Sequence, residues 1–265
     1  KLRFGLMAHI HLHARSQRRY ADNPVNEDMK NGKFNQQSVF ELFESLRQTV
    51  KSLNLKLEAT EWTNYYEITN YSEEAFLEKK TIVESYIDLV NPKKVWDLGA
   101  NTGEFSRIAS QKGIYTVAYD IDPGAVAKNY LRVRQDRDNY QLPLIMDLTN
   151  PSPALGWAHQ ERKSLVERGP VDLVLALALV HHMAISNNLP FDRLGKFFQK
   201  ICSNLVIEFI PKSDSQVLKL LQSREDIFNE YNIRSFESAF SAYFEFIRKK
   251  NISGSERIIY LMHKK

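Results

Sequence analysis

From Lys93 onward, short apolar runs alternate with stretches whose apolar positions recur at helical spacing. Runs rich in Val, Leu and Ile and bounded by turn residues predict strands, which cover Val95–Leu98, Thr116–Asp120, Leu144–Met146, Val171–Ala178 and Leu205–Phe209. Strands that alternate with helices form a parallel sheet with both faces covered. A final hairpin is predicted where two apolar runs flank a Gly-containing turn, at Tyr243–Arg248 and Arg257–Met262. The pattern over 93–265 therefore predicts one α/β domain.

The first 92 residues are predicted to form a helical segment and a loop in front of that domain. Apolar residues recur with helical spacing over 2–20 and 38–53, and a further helix is predicted over 72–90. Because the chain begins at Lys1 and not at methionine, we expect it to be part of a longer protein with an upstream region. The histidines of the first helix have no acid or cysteine nearby to complete a metal site, so no metal is expected.

The amino-acid composition is that of a folded protein without disulfides or a membrane span. The chain is 43% hydrophobic and 26% charged, which predicts a packed core, and no apolar run is long enough to cross a membrane. The single cysteine, Cys202, excludes a disulfide framework and fits a reducing compartment, so we expect a cytoplasmic protein without a membrane partner. The net charge of +4 permits an anionic substrate without demanding one.

Candidate chemistry begins where the first strand ends. Asp97 closes an apolar run, Gly99 and Gly103 follow, and a helical pattern starts at Glu104. Ligands of open α/β sheets bind at such turns, where glycine permits close approach and the helix N-terminus favours an anion. The dinucleotide fingerprint needs G-x-G-x-x-G, but Asn101 and Glu104 occupy the places of its second and third glycines. A nicotinamide-dependent oxidoreductase is therefore the disfavoured alternative.

The spacing Asp97-x-Gly99-x-Asn101-x-Gly103 instead resembles motif I of the class I S-adenosylmethionine (SAM) dependent methyltransferases, which is usually acid-x-Gly-x-Gly-x-Gly. Asn101 departs from that pattern at the middle glycine, and its side chain must fit beside the ligand. The resemblance implies SAM as the cofactor.

Two later strand ends extend the resemblance. Asp120 ends the second strand, and an acid about 20 residues after the glycine turn can accept hydrogen bonds from both ribose hydroxyls. In the family an acid after the third strand contacts the adenine amino group, and Asp147 matches it. The neighbouring Ile121 and Leu148, together with Ala178 at the end of the fourth strand, complete the predicted cofactor site.

The family resemblance also implies the complete topology. It is a Rossmann-like, doubly wound sheet of seven strands in the order 3-2-1-4-5-7-6, with the last strand antiparallel, preceded here by the N-terminal helical extension. The phrases Asp97–Ser106, Met146–Pro153 and Leu175–His182 look like a bacterial group of SAM methyltransferases related to a rhizobial nodulation protein.

Candidate acceptor residues follow the fourth and fifth strands. His181 or His182 is a candidate general base, because the free pKa of histidine lies near neutrality, although either ring could simply pack against the cofactor. Glu208 is predicted to bind an acceptor hydroxyl or amine, or to pair with Lys212. The Asn/Asp-Pro-Pro-Tyr/Phe motif of amino-group methylation of nucleic acids is absent after the fourth strand, which disfavours adenine as the acceptor.

The aromatic loop upstream of the domain is the remaining candidate. Four aromatic residues lie among polar ones over 61–71, including Tyr65 and Tyr66. The loop either packs over the sheet or forms a lid that contacts substrate and excludes water, and the two interpretations stay open.

The predicted function is transfer of a methyl group from SAM to a small-molecule or glycan-like acceptor. One alternative is an RNA or protein methyltransferase that uses scattered Arg and Lys residues as a phosphate-contacting patch, although such charges more often form a solvated face. The other alternative is a SAM-binding regulatory protein without turnover. Neither the acceptor atom nor the oligomeric state follows from the sequence.

Overall fold

A computed structural model describes residues 4–22, 35–53, 72–222 and 224–265. The chain divides into two compact units, Lys1–Leu57 and Glu58–Lys265. The seven-stranded sheet belongs to the second unit, as does the helix that precedes its first strand.

The described part of the first unit is helical. Asn35 caps the longest of these helices, because its side-chain oxygen accepts the backbone N–H of Ser38 at 2.7 Å. The elements agree with the helices predicted over 2–20 and 38–53. They are α1 (Phe4–Leu6), a π-helical stretch (Met7–Leu12), α2 (His13–Tyr20) and α3 (Gln36–Lys51).

In the second unit, strands alternate with helices along the chain. The strands are β1 (Lys94–Leu98), β2 (Tyr115–Asp120), β3 (Gln141–Ile145), β4 (Val171–Ala176), β5 (Cys202–Phe209), β6 (Phe244–Asn251) and β7 (Ile258–Lys264). The α-helices are α4 (Glu73–Val90), α5 (Ser106–Ser110), α6 (Pro123–Asp136), α7 (Leu165–Arg168), α8 (Phe191–Ile201), α9 (Ser215–Gln222) and α10 (Ile233–Ser241). A short 3₁₀ turn covers Trp157–His159, and a π-helical turn covers His182–Ser186.

The predicted sheet topology is confirmed. The strand order is β3-β2-β1-β4-β5-β7-β6, with parallel pairing from β3 to β5 and antiparallel pairing of β7 with both neighbours. The strand order reverses direction between β1 and β4, and ligands of doubly wound folds bind outside the carboxyl ends of the strands at such a point.

The third strand lies earlier in the chain than the apolar run predicts. It covers Gln141–Ile145 and not Leu144–Met146, and it pairs along its whole length with β2, from Thr116 to Asp120. Pro143 lies inside this strand, and a proline in the sequence normally argues against predicting a strand. An edge strand tolerates proline because one row of its backbone groups has no partner strand.

Helix α4 is an integral part of the second unit. Ser72 caps it by accepting the N–H of Ala75 at 3.2 Å, as the predicted helix over 72–90 requires. Its apolar side packs with α5 against one sheet face, whereas α8 and α10 pack on the opposite face. The domain boundary predicted between 92 and 93 remains a prediction, and the compact unit begins before it.

Candidate active site

A cavity of about 270 Å³ lies at the carboxyl ends of β1, β2, β3 and β4. Its lining combines three carboxylates with a largely apolar wall. The described lining residues are Phe76, Lys79, Asp97, Gly99, Asn101, Phe105, Asp120, Ile121, Met146, Asp147, Leu148, Thr149, Leu177, Ala178, Leu179, His182, Met183, Ser186 and Asn187. The residues predicted at the ends of four separate strands therefore meet in one cavity.

The turn after β1 depends on backbone conformations that favour glycine. Gly99 has a φ of +79° and Asn101 a φ of +50°. Asparagine is among the few residues other than glycine that enter this left-handed region readily, which explains how it replaces the middle glycine of the motif. Its side-chain oxygen accepts the N–H of Thr102 at 2.8 Å.

Gly103, predicted to bind the cofactor, is not among the described cavity-lining residues. Its φ is +78°, and an added Cβ would lie 2.4 Å from side-chain atoms of Asn129 and 2.5 Å from the Gln141 amide nitrogen. The left-handed φ favours glycine here, and the absence of a side chain leaves room for the Asn129 and Gln141 amides of α6 and β3.

Asp120 ties the ends of β1 and β2 together. Its carboxylate accepts the N–H of Asn101 at 2.7 Å and that of Asp122 at 2.8 Å. Burial raises the pKa of this carboxyl, and these backbone hydrogen bonds oppose the increase. The side chain thus has a defined orientation at the wall of the cavity.

Asp97 lies deeper in the same wall and is 2% exposed. The hydroxyl of Ser106 donates a hydrogen bond to its Oδ2 at 2.6 Å. Burial, with the nearby charge of Asp120 as a further contribution, raises the pKa of Asp97 to about 6. A cation bound beside it would stabilise the ionised form.

Asp147 marks the opposite end of the cavity. Its Oδ1 accepts both the N–H and the hydroxyl of Thr149, at 2.8 and 2.6 Å. The hydroxyl hydrogen bond lowers the pKa of this carboxyl, so Asp147 is an anion at neutral pH.

The two candidate histidines lie in different environments. His182 lines the cavity, whereas His181 is 2% exposed and is not among the described lining residues. Their ring centroids are 4.1 Å apart. Burial lowers the pKa of His182 to about 4 and that of His181 well below its usual range, so both rings are neutral at pH 7. Only His182 is placed to contact a ligand in this cavity.

Glu208 lies beneath the cavity and not on its wall. It is 0% exposed, and its Oε2 accepts hydrogen bonds from Lys79 Nζ at 2.7 Å and from the N–H of Ala178 at 2.8 Å. The predicted pairing of Glu208 with Lys212 is wrong, because Lys212 lies on the surface and pairs with Asp226 at 2.8 Å. Direct contact of Glu208 with an acceptor stays a prediction, and this burial argues against it.

The chain was compared with protein families, with curated proteins and with solved structures. No protein-family model matches it. Over 200 residues, or 75% of the chain, it is 36% identical to the nodulation protein NoeA of Rhizobium meliloti strain 1021. The chain spans 42% of the length of that relative. Over those 200 residues the chain is similar to NoeA.

Solved structures with the same fold as this chain include two methyltransferases. The N-methyltransferase NodS of Bradyrhizobium japonicum WM9 superposes with a TM-score of 0.52 at 10% identity, covering 73% of this chain and 98% of NodS. The magnesium protoporphyrin IX methyltransferase ChlM of Synechocystis PCC 6803, crystallised with bound SAH, has a TM-score of 0.50 at 15% identity over 91% of this chain and 100% of ChlM. The PH0226 protein of Pyrococcus horikoshii OT3 has a TM-score of 0.54 at 15% identity over 78% and 100%. The chain therefore has the same fold as these solved structures, NodS and ChlM among them.

Sequence reasoning missed the part of the cavity wall that α4 contributes. Lys79 Nζ lies 4.9 Å from the centroid of the Phe105 ring, and Phe76 packs edge-on against Phe105 with centroids 5.9 Å apart. The apolar periodicity of α4 shows only that one face is buried, and it does not distinguish a lysine on that face from a solvated one.

The remaining predictions concern the aromatic loop, a metal ion and the membrane. Tyr65 and Tyr66 lie outside the described residues. Within the described ranges, no group of three or more His, Cys, Asp or Glu side chains is arranged to hold a metal ion, and no helix has both the length and the apolar character to cross a membrane.

Proposed function

We propose that this chain is a SAM-dependent methyltransferase acting on a small-molecule or glycan-like acceptor. The observation that carries the proposal is the placement of Asp97, Asp120 and Asp147 along one cavity, at the ends of three adjacent strands. SAM presents two ribose hydroxyls, an adenine amino group and the ammonium group of its amino acid end, and each of these suits a carboxylate.

The fit follows the order of the three acids. Asp120, oriented by two backbone N–H groups, would accept hydrogen bonds from the ribose hydroxyls. Asp147 would accept one from the adenine amino group, and the apolar side chains of Ile121 and Leu148 would pack against the ring. Asp97 would bind the ammonium group, whose positive charge would offset the cost of burying its carboxylate.

The acceptor side of the cavity holds few ionisable groups. When bound, SAM supplies an activated methyl group on a positively charged sulfur. The walls formed by Phe105, Leu177 and Met183 exclude water, and alignment of the two reactants supplies most of the acceleration. His182 is neutral at pH 7 and offers a lone pair or an N–H to the acceptor. We therefore assign it the role of positioning the acceptor in preference to that of removing a proton.

Calorimetric titration of the purified chain with SAM, S-adenosylhomocysteine and NAD tests this proposal. Binding of the first two ligands, with no heat from NAD, is the expected result. Binding of NAD alone, or of none of the three, would contradict it. Bound SAM without methyl transfer to a broad acceptor panel would favour a regulatory protein over an enzyme.

A further inference from the structure

A second cavity, of about 350 Å³, lies beside the first turn of α4. Ala75 lines this second cavity, whereas Phe76 and Lys79 of the same helix line the first one. Pro211, which follows the carboxyl end of β5, also lines it. Both cavities therefore lie at the carboxyl edge of the sheet and are separated by the beginning of α4.

The lining of the second cavity is rich in hydroxyl groups. Apart from Ala75, Pro211 and a glycine, every described lining residue is polar, and none is aromatic. Four of them are serines: Ser72, Ser213, Ser215 and Ser255. A serine hydroxyl both donates and accepts hydrogen bonds, so this wall can match the mixed donors and acceptors of another hydroxyl-rich surface.

The charges of the second cavity disfavour an anionic ligand. Arg257 is 3% exposed, and its guanidinium binds Asp214 through two hydrogen bonds, Nε to Oδ2 at 2.7 Å and Nη2 to Oδ1 at 3.1 Å. Glu256 adds a second carboxylate, which accepts the hydroxyl of Ser213. One cation against two carboxylates leaves no excess positive charge for a phosphate, and carboxylates are good acceptors for neutral hydroxyl groups.

A buried chain of charges connects the two cavities. Arg257 Nη1 lies 3.9 Å from Glu208 Oε1, and Glu208 Oε2 lies 2.7 Å from Lys79 Nζ. The chain thus runs from Asp214 in the second cavity to Lys79 in the first. Its members come from α4, β5, the turn before α9 and the residue before β7, so it joins the elements that line the two cavities.

We propose that the second cavity binds a neutral, polyhydroxylated part of the methyl acceptor, such as a sugar ring, while the atom to be methylated lies in the first cavity. The assignment to the acceptor rests on the proposed methyltransferase function. Binding a remote part of a substrate orients its reacting end and raises the turnover rate as well as the affinity. The second cavity would then select acceptors by their hydroxyl-rich portion.

Saturation-transfer NMR on the full chain tests this proposal, with methyl glucoside as the neutral probe and inorganic phosphate as the anionic one. Ser215→Trp places a bulky ring in the second cavity. Leu218→Trp is the matched control, because Leu218 is 48% exposed on the same helix and does not line the cavity. Glu256→Gln removes one acceptor charge with little change in shape.

We expect methyl glucoside to bind the wild-type chain, and its affinity to fall at least about fivefold in Ser215→Trp but not in Leu218→Trp. Glu256→Gln should weaken it by a smaller factor. Absence of methyl glucoside binding, equal binding by the two tryptophan variants, or a preference for phosphate would each overturn the proposal. Titrating the same samples with SAM separates the two hypotheses, because failure to bind SAM contradicts the methyltransferase and leaves the sugar result interpretable.

Discussion

The ammonium of Lys79 lies 2.7 Å from the carboxylate of Glu208, with the two side chains 3% and 0% exposed. The residues are 129 positions apart in the chain, and they join α4 to the carboxyl end of β5 beneath the cavity. Burial lowers the pKa of Lys79, and the charge of Glu208 opposes that effect. Each charge is tolerated in the interior because the other is present, and Glu208 also anchors Ala178 at the cavity wall.

Replacing Glu208 with glutamine should destabilise the fold strongly. The change leaves the buried ammonium of Lys79 without its carboxylate, and loss of one partner of such a pair costs about 3–5 kcal/mol. Urea unfolding measures the free energy. Asp226→Asn, which breaks the surface pair with Lys212, is the control and should cost about 1 kcal/mol or less. A loss of similar size in both variants would show that the buried pair is not a structural requirement.

Asp120→Ala should weaken SAM binding at least about tenfold, because a charge-assisted hydrogen bond to the ribose is worth about 1.5–3 kcal/mol. Calorimetric titration gives the dissociation constant directly. Asp136→Ala removes an acid from the end of α6 that pairs only with Arg132 among the described residues, and it should leave the affinity unchanged. Equal affinities in the two variants would refute the ribose assignment.

Asp97 should make the free energy of unfolding fall as pH rises. Its pKa is about 6 in the fold against an ordinary value of 3.8, so the folded chain binds this proton more tightly than the unfolded chain does. The contribution is greatest below pH 4 and is lost between pH 4 and pH 6, up to about 3 kcal/mol. Urea unfolding across this range should show a steeper fall for the wild type than for Asp97→Asn. Parallel pH profiles would exclude a raised pKa.

The two histidines should respond differently to replacement by alanine. His181→Ala opens a cavity in a buried site and should lower the free energy of unfolding by about 2 kcal/mol or more. His182→Ala, at the cavity wall, should cost less stability and lower methyl transfer more than SAM affinity. Thermal unfolding and calorimetry measure these effects, and loss of SAM affinity equal to the loss of turnover would make His182 a residue that packs against the cofactor.

NMR titration checks the protonation state assigned to His182. Its pKa of about 4 predicts a neutral imidazole throughout the range from pH 5 to pH 8. A midpoint near 6.5 would show that the ring is solvated, and would make it a stronger general base than the structure indicates.

The meeting of the three acids in one cavity was predictable because its determinants are local. Asp97, Asp120 and Asp147 each follow an apolar run directly, and parallel strands place their carboxyl ends at one edge. Asn101 also obeys a local rule, since its left-handed φ of +50° suits asparagine.

The features that the sequence did not predict depend on contacts between residues far apart in the chain. One of the two sequence interpretations of Glu208 pairs it with the nearby Lys212. The structure instead supplies Lys79, from a helix that the sequence pattern assigns to a separate segment. β3 can include Pro143 because it lies at the edge of the sheet. The sequence does not show which strand is at the edge, so the proline there argues against a strand. The second cavity depends in the same way on the convergence of α4, α9 and the β6–β7 turn.

The contribution of α4 to the interior sets a lower limit on how far the second unit can be shortened. A fragment cut at the alternating pattern, from Lys93 to Lys265, would keep every strand and all three cavity acids. It would nevertheless leave Glu208 without its ammonium partner and expose the apolar sheet face that α4 covers. Such a fragment should aggregate on expression, so we expect the smallest portion of this chain that folds independently to include α4 and its cap at Ser72.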